Sequence, residues 1–348
     1  MRINVPPVTR ALVLLTCALS FICAAARWNI PTTSEDPFPD RSIPYLTLVP
    51  SKSIYYPWTI LTSTFVEQNV LSFLINATAV YLSGRYLERA WGSKDFAVVA
   101  LVGAVIPNLL VIPTYVLWGT IMQNTIRADT PIAGAITLQA AFLVAFKQLV
   151  PEHTVSLYKG LIKVRVKHFP AIFLLLNTFS GIVFGTDTAL LLAWYGLVTS
   201  WVYLRFFKYQ PELGTSTGGM KLKGDASETF AFATFFPNAL QQPVAAVCDQ
   251  IYILCCNMKI IRPFSDEAIA SSNEQAAARG EATLPTAMGR DRGARTMSKR
   301  EEAERRRALA LKALDERLNA ASGQTVTPSS ATPSVSVDQA QSHSSSTT

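Results

Sequence analysis

The sequence predicts an all-α membrane protein: a six-transmembrane-helix bundle carrying a largely disordered cytosolic C-terminal tail. Three observations predict it. Charged residues make up 16% of the 348 residues and hydrophobic ones 49%, against roughly 25% charged in soluble domains, and the mean hydropathy is +0.25. The charge is also uneven, with 8 charged residues in 1–57, 16 in 58–207 and 31 in 208–348. The middle segment is too poor in charge to cover a water-facing surface. Third, six stretches approach the roughly 20 apolar residues that a spanning helix needs. These features exclude an ordinary soluble protein. A secreted disulfide scaffold is excluded too, since Cys17, Cys23, Cys248, Cys255 and Cys256 have no paired spacing. The net charge of +7 divides as +2, +4 and +1 over the three segments. No basic arm for nucleic acid results, and the excess reads as cytosolic loop charge.

The six stretches are 9–26, 66–84, 96–118, 131–149, 169–186 and 188–207. The first has a rival reading. Arg2 and Arg10, the apolar run from Ala11 and the Ala24-Ala25-Ala26 triplet also fit a signal peptide with a small-residue cleavage site. Loop charge favours a retained helix. With the N-terminus in the cytosol, cytosolic segments hold twelve Lys/Arg and the opposite side four, namely Arg27, Arg41, Lys52 and Arg127. The positive-inside rule then gives six helices with both termini cytosolic. The Pro-rich loop 27–57 has room for a short interfacial segment, Tyr45 to Val49. Pro107 and Pro113 are expected to break the third helix, which neighbouring helices tolerate. The Asn76-Ala77-Thr78 sequon falls mid-helix and is expected to be unused.

Beyond residue 208 the character changes. A Gly/Ser/Thr/Lys linker, 212–224, precedes a cytosolic docking segment ending near 262, with Phe230, Phe232, Phe235 and Phe236 and the run Ile251 to Cys256. That run is too short to span and reads as a surface or packing segment, with Cys255 and Cys256 read as packing residues ahead of the alternative, lipidation. Residues 264–296 read as disordered. Ser298 and Glu301 form a capping box opening a charged helix to about residue 320, and the Ser/Thr-rich end is unstructured. The resulting divisions are 1–208, 209–262 and 263–348.

Polar groups within spans are costly and default to functional hypotheses, although Asn and Gln often only tie helices together. Glu67, Gln68, Asn69, Ser72 and Asn76 fall on the second stretch and Gln139 on the fourth, with Glu67 at the luminal end near water. One constellation is more specific. Trp58, Asn76, Gly84, Glu88 and the Gly92-Ser93 pair follow the order Trp-x₁₇-Asn-x₇-Gly-x₃-Glu-x₃-Gly-Ser. This resembles the second helix of rhomboid intramembrane proteases. Pro131-Ile132-Ala133-Gly134 falls where rhomboids carry Gly-x-Ser-Gly, and Ala193-Trp194-Tyr195-Gly196 where they carry His-x-x-Gly. The departures decide the chemistry: the nucleophile and base positions are Ala133 and Ala193, and an unassisted hydroxyl is a poor nucleophile. Family histidines correspond to Ser72 and Glu67, and the usual Arg to Thr59. Of the three histidines, His153 and His168 lie in a cytosolic loop and His343 in the tail, so a Ser–His dyad is not expected. Lys147 sits at the wrong end for a Ser–Lys pair. No cluster has metal-ligand spacing and no phosphate loop is present, so no cofactor or metal is implied.

A rhomboid-like core without catalytic residues, followed by the block Gly224 to Pro237, is similar to the transmembrane protein 115 family. The resemblance implies a Golgi pseudoprotease acting in retrograde Golgi-to-ER transport as a scaffold or client-binding protein. It also implies self-association and Golgi tethering factors as partners, besides membrane lipids and client transmembrane proteins. Gly84, Gly134 and Gly196 are expected at close helix approaches, and the four phenylalanines to dock on the bundle or a partner. The rivals are a derlin-like quality-control pseudoprotease, a transporter and an active protease.

Overall fold

The computed structural model describes residues 5–28, 43–123, 125–157, 162–209, 223–261 and 263–283. Contacts divide the chain into one compact unit, Met1–Leu284, and the remainder, Pro285–Thr348. The charged helix expected at 299–320 lies outside the described residues.

The first unit is mostly helical. Its helices are α1 (Pro7–Trp28), α2 (Thr59–Thr62), α3 (Val70–Trp91), α4 (Ser93–Ile121), α5 (Thr125–Ala128), α6 (Ile136–Leu149), α7 (Phe169–Phe184), α8 (Asp187–Val202), α9 (Asn238–Asn257) and α10 (Asp266–Thr283). Four segments are long and apolar enough to cross a membrane: α1, α4, Val166–Phe184 and Asp187–Phe207. The other two predicted spans are helical but do not meet that measure by themselves. α3 carries Arg85, Glu88 and Arg89 in its last two turns. α6 has 14 residues, about 21 Å at 1.5 Å per residue, short of the roughly 30 Å hydrocarbon layer.

α6 is the central helix. It packs most extensively on α8 and also touches α3, α4 and α7. Leu138, Ala140, Phe142, Val144 and Ala145 are buried in the main core with Leu87, Phe96, Val99, Ala193 and Leu197. The outward faces stay apolar: Leu71, Leu74 and Leu82 on α3, Leu101 and Leu117 on α4, and Leu175, Phe179 and Ile182 on α7 are exposed. An apolar surface this extensive marks a membrane contact. α1 presents its small polar face inward, with Thr9, Thr16, Ser20 and Cys23 buried, mainly against α3.

Several boundaries differ from the sequence reading. The second helix begins at Val70 rather than 66, so Glu67, Gln68 and Asn69 precede it. The fourth begins at Ile136, leaving Pro131–Ala135 as a buried approach loop. α4 is not broken, because Pro107 and Pro113 lie inside one continuous helix. The loss of two backbone donors is tolerated where neighbours shield the helix. The Tyr45–Val49 stretch is no interfacial segment, since Leu48 is fully buried and its backbone pairs with Ile132 at 2.9 and 2.7 Å. The all-α expectation also gains a small exception. Thr154–Leu157 (β1) and Ile162–Arg165 (β2) form an antiparallel hairpin, Thr154 opposite Arg165, between α6 and α7.

Residues 266–283, read as disordered, form α10. Ser265 caps it, its hydroxyl accepting from the Ala268 amide at 3.3 Å, and an alanine-rich body favours helix. The helix is anchored where Ser272, fully buried, accepts from the Ala226 amide at 3.2 Å. The Ile251–Cys256 run lies in α9, with Leu240, Val247, Ile251 and Leu254 exposed, and Tyr252, Phe206 and Phe264 form a cluster of mutually stacked rings.

Candidate functional site

The region that the rhomboid resemblance assigns to a dyad draws on the approach loop to α6 and on α8, with the turn before α3 beside that loop. Ala133 sits on the loop and packs with Cys23, Ile43, Leu46 and Val66. Ala193 is completely buried in the main core. Gly196, one turn beyond Ala193, meets Thr137, one turn beyond Ala133: a Cβ there would lie 2.9 Å from the Thr137 Cα. The two helices therefore approach closely enough to require glycine.

A carboxylate lies beside the approach loop, next to Gly134. Glu67 is 9% exposed, not the water-facing residue its position in sequence suggested. Ser20 and Phe65 hold the turn: the Ser20 hydroxyl donates to the Phe65 carbonyl at 3.2 Å and accepts from the Glu67 amide at 3.0 Å. The Glu67 side chain accepts from the Ala135 amide at 2.9 Å and from the Asn76 amide group. The Asn76 oxygen in turn accepts from Gln139. The chain Ala135–Glu67–Asn76–Gln139 thus ties the α6 approach loop, the pre-α3 turn, α3 and α6 together. Gly134 lies beside it at φ +114°. Its environment leaves a Cβ 3.5 Å from Glu67 Oε1, ordinary contact, so backbone conformation rather than helix proximity requires glycine here. That corrects the expected reason for Gly134.

The remaining motif residues also find places. Glu88, 3% exposed, accepts from the amides of Val8 and Thr9 at 3.0 and 2.7 Å, from the Thr9 hydroxyl at 2.7 Å and from Ser93 at 2.7 Å. It caps α1 from a distant helix, satisfying orphan amides with a charge of the favourable sign. Gly84 is where α1 crosses α3, since a Cβ would meet Thr9 Oγ1 at 2.8 Å. Trp58 is half exposed, and its indole donates to the Tyr45 carbonyl at 3.0 Å. Thr59, at the position of the rhomboid Arg, is buried and donates to the Tyr56 carbonyl at 2.6 Å.

Sequence reasoning missed two networks. Asn108 on α4 donates to the Ile60 carbonyl, Ser63 and Thr64 at 2.8, 3.1 and 2.9 Å; an Asn inside an apolar helix was the available signal. At the other end of the bundle, Asp225 is fully buried. Its carboxylate accepts from Gln148 at 2.8 Å and from the Ser227 amide at 3.1 Å, and its own amide donates to the Arg205 carbonyl at 3.0 Å. Gly224, at φ +86°, leaves only 2.3 Å between a built Cβ and the Arg205 oxygen.

This network seats the phenylalanine block on the bundle. Phe230 and Phe235 are 2% and 0% exposed in the main core, and Phe232 and Phe236 pack against it. Of the two occupants expected for these rings, the bundle is the one they have. As partner-docking residues Phe230 and Phe235 are unavailable. Lys147, 2% exposed, donates to Thr234 at 2.7 Å and lies 3.4 Å above the Phe235 ring.

As chemistry, the arrangement offers no nucleophile or base at the dyad positions. His153 and His168 flank the hairpin, beyond the far end of α6, and His343 lies outside the described residues. Cys248 on α9 is no substitute, because burial, with Asp249 beside it, pushes the thiol above its ordinary value.

Comparison with known proteins agrees with the architecture. A family model described as "Eukaryotic integral membrane protein (DUF1751)" matches residues 10–320. The chain is 29% identical to Rhomboid-like protein 19 of Arabidopsis thaliana over 77% of this chain and 84% of that one. It is 30% identical to the Transmembrane protein 115 homolog of Saccharomyces cerevisiae, over 82% and 84% respectively. With human Transmembrane protein 115 the identity is 32%, over 79% and 71%. A match spanning the bundle, the phenylalanine block and α9–α10 in one alignment makes this chain a member of the DUF1751 family of eukaryotic integral membrane proteins, the family of transmembrane protein 115.

Proposed function

We propose that this protein is a catalytically inactive, rhomboid-like Golgi membrane protein. It acts in retrograde Golgi-to-ER transport as a scaffold or a binder of client transmembrane helices. One observation carries the inactive reading: Ala133 and Ala193 stand at the dyad positions, and the Glu67–Asn76–Gln139 chain engages the approach loop that carries Ala133. A hydroxyl nucleophile without a base does not attack an amide at a useful rate, so function comes from binding. The Golgi assignment is supported by kinship with transmembrane protein 115 and by the Gly224–Pro237 block. We take six spans with both termini cytosolic, on the loop charge bias of twelve to four. α6, shorter than the bilayer, is surrounded by protein and needs no lipid-facing length of its own. Golgi tethering factors, self-association and client helices remain the partners this reading names.

Proximity labelling from the C-terminus tests it. Enrichment of Golgi tethers and coat components supports the proposal, whereas enrichment of ER-degradation factors would establish the derlin-like alternative.

A further inference from the structure

A groove of about 1560 Å³ opens along the side of the bundle between α7, the end of α6, the β hairpin and the Phe block. Its two halves differ in chemistry. One wall is the outward face of α7, where Ile172, Leu175, Phe179 and Ile182 are all exposed. From Ala171 to Ile182 that wall rises about 16 Å, close to half of the roughly 30 Å hydrocarbon layer. The other half is cationic, with Lys147, Arg165, Lys167 and His168 lining the end where α6 stops and α7 begins. Arg165 and Lys167 share one carboxylate, Glu152, each at 3.4 Å and all partly exposed; Glu228 is a second carboxylate on the lining, so the three Lys/Arg side chains there exceed the carboxylates by one.

Lys147 is the second, independent observation. It is 98% buried yet lines the groove. Its neighbours are a hydroxyl and an aromatic face, and the charges it feels most are those of Lys167 and Arg205, both of like sign. Among the described residues no carboxylate lies within ion-pair distance of it. A buried lysine with no carboxylate beside it is costly to charge, and a phosphate at the cationic end of the groove it lines would offset that cost.

We propose that the groove holds one anionic glycerophospholipid, drawn from the bilayer leaflet at this end of the bundle. The phosphate sits among Lys147, Lys167 and Arg165, and an acyl chain lies along α7 from Ala171 to Ile182. A soluble anion would use the cationic end and leave the apolar wall empty. A zwitterionic lipid would fill the wall and offer the same phosphate, but it would also bring its headgroup cation into the cationic end, where like charges repel. Only an anionic lipid matches both halves.

The test is native mass spectrometry of the purified full-length chain. It is equilibrated in detergent with an equimolar mixture of phosphatidylinositol, phosphatidylserine and phosphatidylcholine. Retention of one anionic lipid in about tenfold preference to phosphatidylcholine is expected, in line with two or three cations near a headgroup. Lys147→Met should remove that preference. The double variant Arg165→Gln/Lys167→Gln, which alters only partly exposed side chains, should lower it several-fold with an unchanged melting temperature, and it decides the matter if Lys147→Met does not fold. Equal retention of phosphatidylcholine, an unaltered preference in the double variant, or displacement of the lipid by millimolar inorganic phosphate would each overturn the proposal.

Discussion

At the scale of single residues, two motif positions do work that their spacing does not announce. Glu88 accepts four hydrogen bonds, three of them from the first turn of a helix some eighty residues earlier. Replacing it with Ala should therefore loosen α1, at a cost of about 2–4 kcal/mol for buried amides left unpaired and a cap lost. Reduced thermal stability in detergent and new protease cleavage near residue 10 would check this. Gly134 and Gly196 separate two reasons for glycine. Gly134→Ala forces an L-residue into a left-handed conformation at about 1–2 kcal/mol, with no clash to relieve. Gly196→Ala drives a methyl against the Thr137 backbone 2.9 Å away, and each added methylene should worsen it. A Gly196 series of Ala, Ser and Val should thus fall steadily in melting temperature, whereas the same series at Gly134 should drop once and level off. The glycines and Glu88 were legible as motif letters. The partners of Glu88 were not, because no local pattern links positions 8 and 88, and the left-handed Gly134 donates its amide to the Ser63 carbonyl at 2.9 Å, on a distant segment.

Among elements, the block Gly224–Pro237 changes role between sequence and structure. Four phenylalanines in fourteen residues read as a docking surface, and hydrophobicity alone does not say whether the bundle or a partner takes them. The deciding features are polar and non-local: Gln148 to Asp225, Trp201 to the Phe230 carbonyl at 3.1 Å, and Ser272 to the Ala226 amide. Phe235→Ala should then cost about 3–5 kcal/mol, as a fully buried ring does, and lower the melting temperature of the whole bundle. Phe232→Ala, at a partly buried position, should cost less. If both variants melted like the wild type while losing a binding partner, the block would be a docking surface after all. Deleting 322–348, beyond every described element, should leave the melting temperature unchanged. Helix existence was well read in the apolar core because α1, α4, α7 and α8 are long apolar runs. Helix starts were not, since Glu67 and Gly134 belong to turns whose shape is set by buried hydrogen bonds rather than by periodicity. α10 was missed for a different reason. Its composition is polar and alanine-rich, so a reading weighted to hydrophobicity passed over the Ser265 cap.

For the whole molecule the open quantity is the number of crossings, and the two counts make opposite statements about two loops. If only the four long apolar segments cross, then α3 and α6 are reentrant or shielded. The turn between α3 and α4 would then share a side with the 43–69 segment, and the loop before α6 a side with the β hairpin. If all six cross, both assignments reverse. Loop charge favours six: Arg85 and Arg89 at the end of α3 and Lys94 at the start of α4 flank the α3–α4 turn, and the hairpin segment carries Arg165 and Lys167, all placed in the cytosol by that count. Lys94 and Gln123 are exposed and mark the two loops, so each can carry a single cysteine in a cysteine-free background. In sealed microsomes, Lys94→Cys should react with a membrane-impermeant maleimide added outside. Gln123→Cys should react only after the membrane is permeabilised. The reverse pattern would mean four crossings, with α6 a buried reentrant helix, and the approach loop carrying Ala133 and Gly134 would then open toward the cytosol. That result would move the vacant dyad region to the side where tethering factors reside, and it would make the Glu67–Asn76–Gln139 chain, rather than the phenylalanine block, the first place to look for a cytosolic partner.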